Sequence, residues 1–232
     1  MKDPSTTRGE LVLSAVRSDI LRGELPPGSK LPFAMLIERY DASTGVLREV
    51  LPRLVEQGLV TSQPQLGYKV VSVSIPELEH LTAARIAFEG QILRQSIESG
   101  DTNWEGEVVA ANHRLSRIPM YDGEQVSLAW LDEHSRFHRT LLAGCPNPML
   151  CDLAERLRDL TQVYRCWSIT ASSDLGRLSD TEHRKLAEYT VARQADDAVR
   201  VLSEHMQHTA DFLIRTQRAR EEANAEAASA SH

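Results

Sequence analysis

Leu11, Val12, Ala15, Val16 and Leu21 recur at helical spacing, which predicts an amphipathic helix with one face turned to a core. Thr7 with Glu10 has the form of a capping box that opens this helix, and Gly23 ends it. Residues 23–32 are rich in proline and glycine and read as a turn or short extended piece. Pro32 suits the first position of a short second helix over 33–37. Asp41 and Ala42 then turn the chain. Ser43 caps a third helix whose apolar face is Leu47, Leu51, Leu54 and Val55, and Gly58 stops it. Beyond Gly58 the period shortens: 59–61 and 69–73 are β-branched runs joined by 63–67, a hairpin signal. Three short helices followed by a strand pair is the order of a winged helix-turn-helix.

From Ser74 onward the pattern is helical almost throughout, with helices predicted near 76–99, 103–117, 122–143, 147–170, 179–192 and 195–218. Ser74 with Glu77 and Thr102 with Glu105 are two more capping boxes. Gly100, Pro119 and the stretches 144–148 and 172–176 separate the helices. Residues 219–232 have no apolar face and read as a frayed, flexible tail. The expected fold class is therefore mainly α. A winged helix-turn-helix occupies 1–73, an all-α antiparallel bundle of about six helices 74–218, and a flexible tail 219–232.

Composition narrows the classes. Of 232 residues, 41% are apolar and 25% charged, which excludes wholesale disorder. No apolar run approaches the ~20 residues of a membrane helix, and the polar start MKDPSTTRGE lacks the apolar stretch of a secretory signal. Aromatics at 5% speak against a large β-sandwich. Cys145, Cys151 and Cys166 are too few and too scattered for a disulfide framework, so the expected location is a reducing cytoplasm. The net charge of −7 is uneven: residues 1–75 carry nine Lys and Arg against eight Asp and Glu, the remainder 17 against 25. A near-neutral head on an acidic body fits a small nucleic-acid-binding module attached to a solvated domain.

The runs LRGELPPGSKLP, ASTGVLREVLPRLVEQGLV and QLGYKVV resemble the winged-helix domain of the GntR superfamily of bacterial transcription regulators. The helical region after them resembles the FadR-type effector domain called FCD, and the resemblance runs from about Gly9 to Arg215. It implies a DNA-binding homodimer that reads a short pseudo-palindromic operator on duplex DNA. The residues suit that task. Ser43, Thr44 and Gly45 place short side chains at the start of a recognition helix, where backbone amides can face phosphates. Arg48 is one turn further in, placed for a base edge or a phosphate; the alternative is a surface salt bridge near Glu38 or Glu49. Gln65, Leu66 and Gly67 form the tip of the wing, with Lys69 behind it. Relatives usually carry an arginine just after the serine and another at the wing tip. Here Thr44 and Leu66 hold those places, and fewer cations predict a shallower salt dependence of binding. Pro52 falls inside the third helix, removes an amide hydrogen bond and predicts a bend.

Four of the eight histidines carry a spatial relation. His134 and His138 are four apart on one predicted helix and share a face. If the last two helices form an antiparallel hairpin around 193–194, His183 and His205 stand at matching heights, about 16 Å from the turn at 1.5 Å per residue. Such rings can converge on one metal in a bundle core; isolated core histidines are the alternative. The resemblance strengthens the first reading, because FCD domains hold a metal with an acidic residue and three histidines. Phe137-His138, Thr181-Glu182-His183 and Glu204-His205 match the histidine positions, while the family's aspartate is replaced by His134. Four neutral imidazoles leave a divalent ion's full charge in place and call for an anion. They suit a divalent transition metal such as Zn, Ni, Cu or Fe. His208, one turn beyond His205, is a possible substitute for it; His80, His113 and His232 read as surface residues.

Arg85 and Glu89 match the family's Arg-x-x-x-Glu. Arg85 is either a clamp for an effector carboxylate or the partner of Glu89. Tyr164 and Arg165 are further effector-pocket candidates, with surface snorkelling the alternative for Arg165. The three cysteines read as packing residues. The best-supported function is a ligand-responsive transcription repressor, not an enzyme, sensing a small organic acid through a metal-containing pocket. Two rivals remain: a metal-dependent hydrolase using Asp132 or Glu133 as base, and a DNA-binding protein with a vestigial pocket.

Overall fold

The computed structural model describes residues 7–123, 125–168 and 173–230. It divides into two compact units, Met1–Ser74 with Gln162–Trp167, and Ile75–Thr161 with Ser168–His232. The architecture among the described residues is mainly α, with nine helices and two short strand pairs.

The first unit holds α1 (Arg8–Leu21), α2 (Phe33–Tyr40), α3 (Thr44–Glu56), β1 (Val60–Gln63) and β2 (Gly67–Val70). Thr7 caps α1 by accepting the Glu10 amide at 3.2 Å. The buried face of α1 is Val12, Leu13, Val16 and Ile20, a rotation from the face predicted, and Leu11 is exposed. Ser43 caps α3 by accepting the Val46 amide at 3.3 Å. Leu47, Val50, Leu51 and Leu54 of α3 are fully buried, so Val50 takes the core position predicted for Val55. Each such side chain contributes about 1.5–3 kcal/mol of apolar burial. Pro52 lies on the exposed side of α3, which stays helical to Glu56.

The turn between α2 and α3 is fixed from outside. Asp41 closes α2 in the left-handed region at φ 48°, and Arg8 donates to the Tyr40 and Asp41 carbonyls while pairing with the Asp41 carboxylate at 3.2 Å. β1 and β2 pair antiparallel from Val60↔Val70 to Gln63↔Gly67. Gln65 at φ 64° and Gly67 at φ 82° make the tight tip. Lys30 bridges to Lys69 on the outer edge, with the Leu31 amide donating to Tyr68 at 2.8 Å.

The second unit is built from α4 (Ile75–Ser99), α5 (Thr102–Ser116), β3 (Tyr121–Asp122), β4 (Gln125–Val126), α6 (Leu128–Leu142), most of α7 (Pro148–Ser168), α8 (Ser173–Val191) and α9 (Ala195–Ala230). α4 packs along α9, α8 lies against α9 and α5, and α5 against α6. Four predicted boundaries shift. Asp101, not Thr102, caps α5, its carboxylate accepting the Trp104 amide at 2.8 Å. The helix predicted from 122 starts at Leu128, because Asp122-Gly123 turns the β3–β4 hairpin with Gly123 at φ 62°. α8 begins at Ser173 and runs through Gly176, where a break was expected. α9 continues to Ala230 instead of fraying after 218. Residues 219–230 are rich in alanine and glutamate, strong helix formers that need no buried face. Residues 169–172 of the predicted break, and 231–232 of the predicted tail, lie outside the described residues.

Two glycines seat Trp104 where α4 and α6 end. A Cβ on Gly144 would stand 2.7 Å from the Ser96 carbonyl and 2.9 Å from the Trp104 ring, and one on Gly100 would stand 2.2 Å from that ring. The Gly144→Ala variant should therefore lose about 1–3 kcal/mol by overpacking, read as a lowered denaturation midpoint with an unchanged slope.

Candidate functional site

α6 places His134 and His138 on its buried face, beside Trp130 and Phe137. α8 and α9 are joined by a turn in which Arg193 takes φ 56°. Its guanidinium donates to the carbonyls of Ile97 and Gly100 at 2.6 and 2.7 Å, which anchors that turn to the end of α4. The hairpin brings His183 and His205 together, with ring centroids 4.6 Å apart and planes inclined by 55°. All four histidines are buried, and the six centroid separations among them run from 4.5 to 5.9 Å.

One ring nitrogen from each of the four lies within 4.8 Å of the other three. Nitrogens bound to one ion at about 2.0–2.1 Å are at most ~4.2 Å apart, so the cluster fits a transition metal with small ring adjustments. The Nε2 atoms of His134 and His138 face each other at 3.1 Å. Two imidazole nitrogens facing this way need either a proton or a cation between them. Burial, then the charges of His205, His183, Arg158 and Arg85, push the His138 imidazolium well below the usual histidine range. His138 is therefore a neutral ring with a lone pair to offer.

A carboxylate stands behind this ring of nitrogens. Glu182 is buried; one oxygen meets His205 Nδ1 at 2.8 Å and the other His208 Nδ1 at 2.6 Å. Burial alone would raise its pKa, but the hydrogen bonds and charges of His205 and His208 outweigh that and lower it. An ionised carboxylate only accepts, so His205 carries its proton on Nδ1. His208 is half exposed and occupies this outer position.

Arginines lie on another side. Arg85 is buried and its Nε donates to Glu89 at 2.6 Å, the ion-pair alternative of the two open for it. Arg158 is 3.7 Å from the second Glu89 oxygen. Both that oxygen and Arg158 Nη1 are buried without a hydrogen-bond partner among the described residues. Burial pushes the Arg158 guanidinium down from its usual value. Arg158 was not singled out from the sequence. Arg165, the arginine chosen from α7, is seven residues on and shares its helix face, so periodicity alone does not separate them. The structure groups Tyr164 and Arg165 with the first unit, not with the unit that carries the histidines. Both are buried, and the Tyr164 hydroxyl accepts the Ser74 amide at 3.3 Å.

A cavity of about 260 Å³ between α5 and α8 reaches His183, with Asn112, Ser116, Asp180 and Thr181 among its lining residues. Burial raises the Asp180 pKa. Of the acids considered as a hydrolytic base, Glu133 is paired with Arg114 and Arg136 at 3.4 Å each. Cys145 and Cys151 are free thiols; Cys166 lies outside the residues whose side chains are described.

In the first unit, Ser43, Thr44, Gly45, Arg48, Gln65 and Gly67 are exposed and Lys69 is half-buried. Arg8, Arg39 and Arg53 pair with Asp41, Asp19 and Glu10. Arg48 makes no ion pair among the described residues, and the salt bridge considered for it does not form. A Cβ on Gly45 would meet only the Ser43 hydroxyl at 3.7 Å.

Two family descriptions match the chain: "Bacterial regulatory proteins, gntR family" over residues 9–70 and "FCD domain" over 80–208. The chain belongs to the GntR family. It is 34% identical over 195 residues to the HTH-type transcriptional repressor GlaR of Escherichia coli K12, covering 82% of this chain and 89% of that one. It is 33% identical over 208 residues to the HTH-type transcriptional regulator BphR of Paraburkholderia xenovorans LB400, covering 85% and 82%. Among solved structures, E. coli McbR/YncC superposes with a TM-score of 0.79 at 18% identity, covering 91% and 99% of the two chains. A GntR regulator from Rhodococcus sp. RHA1 gives 0.70 at 17% identity, covering 90% and 98%. This GntR-family protein is thus a DNA-binding transcription regulator with an FCD domain and not an enzyme. No helix among its described residues is long and apolar enough to cross a membrane.

Trp130 stacks on His134 with centroids 4.5 Å apart and planes inclined by 22°, which makes it a reporter for the cluster. Adding Ni(II) or Co(II) to chelator-treated protein should quench tryptophan emission and saturate near one ion per chain. His138→Ala should abolish that saturable drop while leaving the emission of Trp104 and Trp167 as background.

Proposed function

We propose that this regulator is a cytoplasmic homodimeric repressor whose four-histidine cluster holds a divalent transition metal, and whose effector is a small carboxylate that completes the metal's coordination. The observation that carries the reading is the convergence of His134, His138, His183 and His205, all buried, with ligand atoms within 4.8 Å. The metal would act as a Lewis acid that accepts an oxygen donor at an open position.

The electrostatics favour an anion. Four neutral imidazoles leave a divalent ion uncompensated, and nearby two guanidiniums face the single carboxylate Glu89. Arg85 is engaged by that carboxylate, so Arg158 Nη1, buried and without a hydrogen-bond partner among the described residues, is the better anchor for an incoming carboxylate. The relative named as a repressor, GlaR, supports repression as the sense of regulation. Ser43, Thr44, Gly45 and Arg48, with Gln65, Gly67 and Lys69 of the wing, form the DNA-binding face in this reading.

A panel of small carboxylates tests the effector half. An effector should raise the melting temperature of the metal-loaded protein, by about 2.7 kcal/mol of stabilisation at one hundred times its Kd, and should do so little after chelation. Arg158→Ala should remove most of that rise. Equal rises with and without metal would overturn the coordination.

For the DNA half, mobility shifts with the DNA upstream of the regulator's own gene should show a specific complex. Arg48→Ala should weaken it by about 1–3 kcal/mol if it reads a base edge. If it meets a phosphate, the loss should be uniform across sequences and the salt slope should fall by about one. An unchanged affinity would remove Arg48 from the interface.

A further inference from the structure

The four residues placed to hold a metal are all histidines, so the ring of donors contains no carboxylate. A carboxylate nonetheless lies one hydrogen bond outside the ring. We infer that Glu182 is the charge-compensating positioning residue of the metal centre: it supplies, through His205, the negative charge that a ring of four imidazoles lacks. The inference rests on the proposed metal reading and names a residue outside the ligand set.

Three observations carry it. Glu182 is on α8 next to His183, yet its carboxylate meets α9: Oε2 reaches His205 Nδ1 at 2.8 Å and Oε1 reaches His208 Nδ1 at 2.6 Å. The two contacts occupy both oxygens, so the carboxylate cannot rotate without breaking one of them. The side chain is also only 10% exposed, so its charge is weakly screened by water and acts at short range on the ring it touches.

The consequence follows from imidazole chemistry. A carboxylate accepting from Nδ1–H fixes the tautomer, leaves the lone pair on Nε2, and makes that nitrogen a stronger donor. With the proton held on Nδ1, His205 can offer only Nε2. The partial negative charge passed through this hydrogen bond offsets part of a dication's charge, as an inner aspartate would do directly. His208 has a separate part. It is one turn beyond His205, and it orients the carboxylate instead of replacing His205 as a donor.

The variant Glu182→Gln separates charge from shape, since the amide oxygen can still accept from Nδ1–H. The readout is the rise in melting temperature on adding Zn(II) or Ni(II) to chelator-treated full-length protein, with affinity from competition against a chromophoric chelator. Glu182→Gln should bind metal about 10–100-fold more weakly and show a smaller metal-induced rise, while its melting in chelator stays near that of the unaltered protein. Glu182→Asp, which keeps the charge, should retain more of the rise than Glu182→Gln, and it serves as the test if the glutamine variant does not fold. Placing a carboxylate back in the ring with His134→Asp should make Glu182→Gln less damaging, so the two changes couple in a double-mutant cycle. Equal melting losses with and without metal, an affinity for Glu182→Gln within about threefold of the unaltered protein, or strict additivity with His134→Asp would each overturn the role of Glu182. Absence of any metal-induced rise in the unaltered protein would instead overturn the metal reading itself.

Discussion

Four imidazoles buried on three helices are a costly arrangement in the second unit. Each ring brings two polar nitrogens into a core that otherwise holds Trp130, Phe137, Leu186 and Leu202, and unsatisfied polar groups there cost about 1–3 kcal/mol each. A sequence that needed only to fill this volume would use apolar side chains, with a gain in stability. Much of the unit's detail serves to bring those rings together. The α8–α9 turn at Arg193, tied to the carbonyls ending α4, sets the height at which His183 meets His205. Ser127 caps α6 through the Trp130 amide, which fixes the phase of the helix bearing His134 and His138.

The first unit distributes charge on a different principle. Three of its arginines are used for internal ties. Arg8 holds the turn before α3, Arg39 meets Asp19 at 2.6 Å, and Arg53 meets Glu10 at 2.8 Å. Arg48, on the same helix as Arg53 but on its outward side, has no such tie among the described residues. A cation held by an acid inside the protein has little left for a phosphate, whereas an untied one can release counterions from DNA. The small net charge of residues 1–75 therefore conceals a cation that is unpaired among the described residues, because other charges cancel in pairs at the surface of the unit.

Much of this was legible in the sequence, and the misses have physical causes. The helices of the first unit followed from caps and breakers that act locally: Thr7, Ser43, Gly58 and the Gln63–Gly67 tip. The histidine convergence was legible because two helices meeting at a short turn obey simple rise arithmetic, and an i, i+4 pair needs no tertiary knowledge. What failed was what depends on packing between elements. Val50 against Val55 and Leu13 against Leu11 are choices of helix phase that the partner surface decides. Arg158 and Arg165 share a face of α7, and only tertiary packing distinguishes them: Arg158 meets Glu89, while Arg165 belongs to the first unit. Glu182 was quoted as part of a motif but given no role, because its contacts cross from α8 to α9. The stretch 219–230 was misread for the opposite reason: absence of an apolar face excludes packing, not helix formation.

In the proposed reading, a donor ring made of four histidines and no carboxylate would also bear on which ions the cluster favours. A carboxylate in the ring suits harder ions and lowers the charge left for an effector to meet; an all-nitrogen ring suits the softer end of the divalent series and leaves that charge in place. The surrounding groups then matter more. Glu182 stands on the α9 side, and Glu89 is bound to Arg85 while Arg158 Nη1 lies 3.7 Å from its second oxygen without a hydrogen bond among the described residues. The Glu182 carboxylate is engaged by His205 and His208, and one Glu89 oxygen by Arg85. In the proposed reading, such a site would favour an anionic ligand over water or a neutral one. In that reading, the lack of a carboxylate in the ring, which would make a metal harder to hold, would also make an anionic ligand easier to attract.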